Sequence, residues 1–199
     1  VKKAIVLIPL FLLLFLEPLV GYKILYKEQL YKLYHLHFYQ DPTDCLENIY
    51  YLEQALRADF ANPLNALAKI ETKEEWRHYR ILFTMHVNLE LVKTYLRLGS
   101  KYDKRNAYFF NEPWKETNLK SLSKAKRVYE YARVYWKEAV EAALELPSTY
   151  IHLEEIQKWE DEHYRILAGE LDYGDIISEQ LERVEKVVAE FEAMDENTY

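Results

Sequence analysis

Along most of this chain apolar residues recur every three or four positions, the spacing that lays a single stripe along a helix. Residues 119–146 show it best: Leu119, Leu122, Ala125, Tyr129, Ala132, Trp136, Ala139, Ala143 and Leu146 make one continuous face. Another stripe is headed by His78 and runs through Leu82, Met85, Leu89, Val92 and Leu96. No segment alternates with period two for long enough to form a strand, so the pattern predicts an all-α protein.

The punctuation agrees. "DPTDCLEN" after Tyr39 ends one helix and opens the next, with Thr43 or Asp44 as cap. Asn62 and Pro63 read as a cap and a first helical position. Thr72 and Glu75 form a capping box that opens a long helix, predicted to end at Leu98 with Gly99 as terminator. The next helix is predicted from Leu119 to Leu146, ahead of Pro147. "STYIHLEEIQKWEDEHYRILAG" reads as a helix ending at Gly169, and Asp175 begins the last one, which reaches Met194. Short connections predict antiparallel helix pairs that stack.

Before this helical body, Lys2 and Lys3 precede an apolar run from Ala4 to Leu16, and Glu17 and Pro18 interrupt it. A basic end followed by a short apolar stretch is the layout of an export signal. Residues 1–22 are therefore expected to be a signal peptide or an N-terminal hydrophobic helix retained as a membrane anchor. Either puts residues 23–199, one helical domain, beyond the membrane, periplasmic or tethered to it. Membrane contact is then confined to residues 1–22.

Composition narrows the function. The formal net charge of −7 argues against a nucleic-acid partner, which needs a basic stripe. A lone cysteine, Cys45, excludes an internal disulfide and a cysteine-rich zinc site, and is read as a buried core thiol. Eighteen tyrosines supply rings with polar tips, suited to half-buried faces and partner surfaces. Neither a nucleophile beside a base nor a glycine-rich phosphate loop is present, so no catalytic residue and no cofactor is expected.

Several stretches resemble the tetratricopeptide repeat: "ALRADFANPLNALA", with Ala55, Leu56 and Ala58; "YLRLGSKY", with Tyr95, Leu98, Gly99 and Tyr102; and "YWKEAVEAALELP". Phe60 stands where that repeat usually has proline. The aromatic wording from about Tyr50 to Leu146 also resembles tetratricopeptide-containing collar proteins around the periplasmic flagellar motor of spirochaetes. The resemblance implies repeat-like stacking and a non-enzymatic scaffold whose partners are other envelope proteins.

One repeated word raises a different chemistry. "HYRIL" occurs at 78–82 and at 163–167, each copy with a glutamate three residues before its histidine. Glu-x-x-His puts carboxylate and imidazole on one helix face, and two such motifs serve carboxylate-bridged di-iron or di-manganese centres. The alternative reading is thus a metal site of Glu75, His78, Glu160 and His163, completed by Glu47 or Glu53 and by Glu138 or Glu141. Against it, glutamate is abundant and Glu75 already has a capping role, so the first reading is two histidine-headed stripes sharing a packing solution and no metal. His35 and His37 diverge on a helix and cannot share an ion. Finally, the segment from Ser100 to Thr117 departs most from helical pattern and carries Tyr102, Tyr108, Phe109, Phe110 and Trp114. These rings are expected either to cap the core or to anchor a partner.

Overall fold

A computed structural model describes residues 23–107, 114–147, 151–195 and 197. The described residues hold six α-helices and no β-strand: α1 (Lys27–Gln40), α2 (Cys45–Arg57), α3 (Lys73–Tyr102), α4 (Trp114–Glu145), α5 (Gln157–Leu167) and α6 (Tyr173–Ala193). Two short 3-10 turns, Pro63–Asn65 and Glu154–Ile156, precede α3 and α5. The all-α expectation holds. No helix among the described residues is long and apolar enough to cross a membrane. The expected signal or anchor at 1–22 lies outside them.

α3 is the central helix, because its sequence is apolar on almost every side from Leu82 to Val92. It packs against α2, α4 and α5, while α6 closes on α4 and α1 closes on α2. α3 and α4 run antiparallel: Tyr102 meets Ser121 and Lys124, Gly99 meets Tyr129, and Tyr95 meets Tyr131 and Tyr135. The expected α4 stripe is the buried one, with Leu122, Ala125, Tyr129, Ala132, Ala139 and Ala143 inside. Its alanines bring the two backbones close, and the space is filled by rings from α3 and α4.

Local signals fix most ends. Thr72 Oγ1 accepts from Glu75 N at 3.1 Å, and Glu75 Oε2 accepts from Thr72 N at 2.9 Å, the reciprocal pair of a capping box. Asp44, not Thr43, caps α2 by accepting from Glu47 N. Gly169 takes a left-handed φ of 71° that closes α5. Lys27, the first residue of α1, donates its ammonium to the Ala55 and Leu56 carbonyls, which ties the α1–α2 pair at the C-terminal end of α2. Cys45 is buried, as expected.

Four expected boundaries are corrected. Gly99 does not end α3, which continues to Tyr102; the glycine is there because a Cβ would overlap the Tyr129 ring. α4 starts at Trp114, not Leu119, because polar residues 115–118 propagate a helix without contributing to its stripe. α5 begins only at Gln157, after an extended stretch and a 3-10 turn. The last helix begins at Tyr173, because Asp172, not Asp175, is the cap, accepting from Gly174 N at 2.7 Å.

Candidate functional site

The two "HYRIL" copies have different fates. In α3, Tyr79 and Leu82 are fully buried; in α5, Tyr164 is 55% exposed and Leu167 52% exposed. The shared packing solution expected from the sequence therefore fails beyond the histidines, because α3 is surrounded whereas α5 is a short outer helix. Both histidines are buried. His163 donates from Nε2 to the Ala143 carbonyl at 3.1 Å. His78 has no partner for either ring nitrogen and borders a cavity of about 240 Å³ with Glu74, Arg77, Pro147 and Ile151. Burial pushes both imidazoles below their ordinary range; Glu160 opposes the shift on each and His163 adds to that on His78, so the three lie in one neighbourhood.

The other proposed ligands are committed elsewhere, apart from Glu138, which stands exposed on α4. Glu75 holds the α3 cap, and Glu160 accepts from His152 Nδ1 and Leu153 N, both at 2.7 Å. Glu53 accepts from two tyrosines, Glu47 is bonded to Tyr51, and Glu141 pairs with Lys137. His35 and His37 diverge as expected: His35 lies edge-on to Tyr31, and His37 bonds Asn48 Oδ1 at 3.2 Å. Of the aromatic segment, Tyr102 is half-buried with Lys124 over its ring, and Trp114 is exposed. Tyr108, Phe109 and Phe110 lie outside the described residues.

A different set of polar groups is brought together inside the protein. His86 and Glu90, one turn apart on α3, meet Glu162 of α5, with all three buried and their ligand atoms within 4.8 Å of one another. Glu162 can only accept, so His86 Nδ1 donates to its Oε2 at 2.5 Å. The Tyr31 hydroxyl meets His86 Nε2 at 2.6 Å, and the Tyr34 hydroxyl donates to Glu90 Oε2 at 3.0 Å. Trp159 stacks on the imidazole, with centroids 4.9 Å apart. These are ligand types that suit a divalent cation. The chain, however, supplies its own cation: Lys93 Nζ lies 2.9 Å from Glu90 Oε1 and 3.1 Å from Glu162 Oε1. Lys158 adds a second positive charge at 3.6 Å from Glu90.

The carboxylates and the lysine of this centre shift one another. Burial pushes the Glu90 carboxyl up, but the His86 ring, Lys93 and Lys158 outweigh it and hold the group at about 2. Glu162 is lowered in the same way, against burial, by His86 and Lys93. Burial also pulls the Lys93 ammonium down, and the two carboxylates more than restore it. Sequence reasoning passed over His86 and Glu90. The available signal was a histidine, an asparagine and a glutamate inside the most apolar stretch of the longest stripe.

A second tyrosine–carboxylate centre opens to solvent. Tyr95 of α3 and Tyr135 of α4 stack at 5.4 Å and both donate to Glu53 Oε1 of α2 at 2.8 Å. Arg57 pairs with the other Glu53 oxygen at 3.3 Å. Helical spacing places Leu46, Tyr50 and Arg57 on the same face of α2 as Glu53. Lys124, Arg127 and Tyr131 share the facing side of α4 with Tyr135, and Val134 stands beside them. The result is a trough whose floor is α3 from Tyr95 to Tyr102 and whose walls are α2 and α4. Leu46, Tyr50, Tyr131 and Val134 are each at least half exposed along it.

Residues 74–194, from the first turn of α3 to the end of α6, match a family described as a domain of unknown function, DUF8513. The chain belongs to this family. No curated protein and no solved structure matches it. The matched stretch contains His86, Glu90, Lys93 and Glu162, so the ionic part of the buried centre lies within the DUF8513 domain. Tyr31, Tyr34 and Glu53 come from the two helices that precede it.

Proposed function

We propose that this chain is a non-enzymatic scaffold, exported or anchored through residues 1–22, that binds other proteins of a cell-envelope assembly through the trough between α2 and α4. The observation that carries the reading is the trough itself: four large apolar or aromatic side chains stand exposed beside a carboxylate already satisfied by its own chain. Exposed rings on rigid helices, with a charged rim, are what partner anchors look like. Tyr102 and Trp114 extend this surface toward the α3–α4 connection, with Tyr108, Phe109 and Phe110 between them in sequence.

The resemblance to tetratricopeptide-containing collar proteins of the periplasmic flagellar motor gives the assembly its candidate identity. Gly99 lying inside a helix, against a ring of the next helix, supports the repeat-like comparison. A photo-reactive residue at position 131, introduced in the native host, tests the reading. A discrete adduct with an envelope protein at 131, absent from the same probe at exposed Glu179, is the expected result; a free monomer at both positions overturns it. The alternative, a bundle metal protein, now rests on His86, Glu90 and Glu162, whose ligand atoms are the ones that converge. Stoichiometric iron or manganese in protein purified without chelator would establish that alternative.

A further inference from the structure

The charges around the trough identify the chemistry of what it binds. Between Trp114 and Lys137, α4 carries seven basic residues and two acidic ones, in a chain whose formal net charge is −7. α6 is the reverse, with six acidic residues and two basic ones from Tyr173 to Ala193. Part of the α4 charge is spent against α6: Lys126 pairs with Glu185 at 2.8 Å across the cleft between those helices. The trough side is different. Lys124 lies over the Tyr102 ring, and Arg127 and Tyr131 follow it one and two turns on along the same exposed face, where no ion pair among the described residues takes up Lys124 or Arg127. Glu53 is taken by Tyr95, Tyr135 and Arg57, and Glu47 turns to Tyr51. Glu130, one turn beyond Arg127, lines the α6 side of α4 with Lys126 and Arg133, and the next acidic residue in line with Tyr131 is Glu138, two turns on.

We infer that the trough receives an acidic amphipathic helix of a partner protein, its apolar face laid on Leu46, Tyr50, Tyr131 and Val134 and its carboxylates on Lys124 and Arg127. This deepens the scaffold reading and rests on it. A helix laid in a groove is read by anchors at every third or fourth position, and the exposed residues here come from two parallel walls at that spacing. Basic side chains at the rim set the sign of the partner and speed its encounter.

The test uses the full chain and three probes: a synthetic helix with leucines at i, i+3, i+4 and i+7 and glutamates elsewhere, the same peptide with lysines for glutamates, and vesicles of anionic phospholipid. Fluorescence anisotropy should show the acidic peptide binding about tenfold or more tightly than the basic one, weakening as salt is raised. The double variant Lys124→Glu, Arg127→Glu should reverse that preference while its circular-dichroism melt stays at the wild-type temperature, since both side chains are exposed. Equal binding of the two peptides, or a preference untouched by the double variant, overturns the inference. So does vesicle binding that the double variant abolishes when neither peptide binds, which would make the basic face a membrane contact. A position-131 adduct whose partner segment is not acidic leaves the scaffold reading standing and sinks only this one.

Discussion

Two tyrosine–carboxylate centres sit on either side of α3, built from the same chemical parts and put to opposite uses. In the inner one, Glu90 and Glu162 are buried with His86, Tyr31 and Tyr34, and Lys93 of α3 with Lys158 of α5 sets two positive charges against them. In the outer one, Glu53 takes two tyrosine hydroxyls and an exposed arginine. Burial decides the difference. A carboxylate removed from water must find a charge within the fold, so the inner centre can spare no member. The outer one borrows water for whatever its partners leave unsatisfied, and so it can be lost or rearranged at small cost.

The sharpest way to break that contrast is to remove the positive charge from each. Lys93→Met leaves the two buried carboxylates with only the exposed Lys158 and the His86 ring beside them, and urea unfolding should show a loss of about 3 kcal/mol. Arg57→Met at the outer centre should cost less than about 1 kcal/mol in the same assay. Similar losses would mean that burial is not what separates the two centres.

Acid should separate them next. The Glu90 carboxyl is held at about 2, below its ordinary value of 4.5, so its contribution is complete above the ordinary value and is lost as pH falls from there toward 2. That contribution is on the order of 3 kcal/mol. His78 and His163, pushed down by burial, add a milder step: their contribution is full above the ordinary histidine value of 6.5 and declines as pH falls below it. Denaturant melts at a series of pH values, wild type against Glu90→Gln, should show the lower step shrink in the variant, with Glu162 supplying what remains. The smallest effect belongs to the outer centre again. Tyr95→Phe should lose about 1 kcal/mol, because Glu53 keeps Tyr135 and Arg57, and Tyr131→Ser should stay within about 0.5 kcal/mol of wild type.

Much of this molecule was written locally. The Thr72–Glu75 box, the Asp44 cap and the Gly169 stop each involve groups within a few residues, so they were legible in the sequence. So was the α4 stripe, whose period is a property of one helix. Gly99 misled because Gly-Ser after a leucine has the composition of a helix end, and only the Tyr129 ring from the next helix gives the glycine its other reason. The inner centre was out of reach for a related cause. His86 and Glu90 make an ordinary pair of neighbours on α3, and the carboxylate that gives them meaning lies 76 residues beyond His86. The repeated "HYRIL" was the inverse case, a local identity to which tertiary structure gave two unlike surroundings.

The Gly99–Tyr129 contact carries one more consequence. The ring fills the volume a side chain at 99 would take, so the two positions hold one shared allotment of space between α3 and α4. Among chains of the DUF8513 family, a larger residue at 99 then requires a smaller one at 129 or a wider spacing of the two helices. The two residues are a single character of the fold, divided between two helices, and their variation should be scored together.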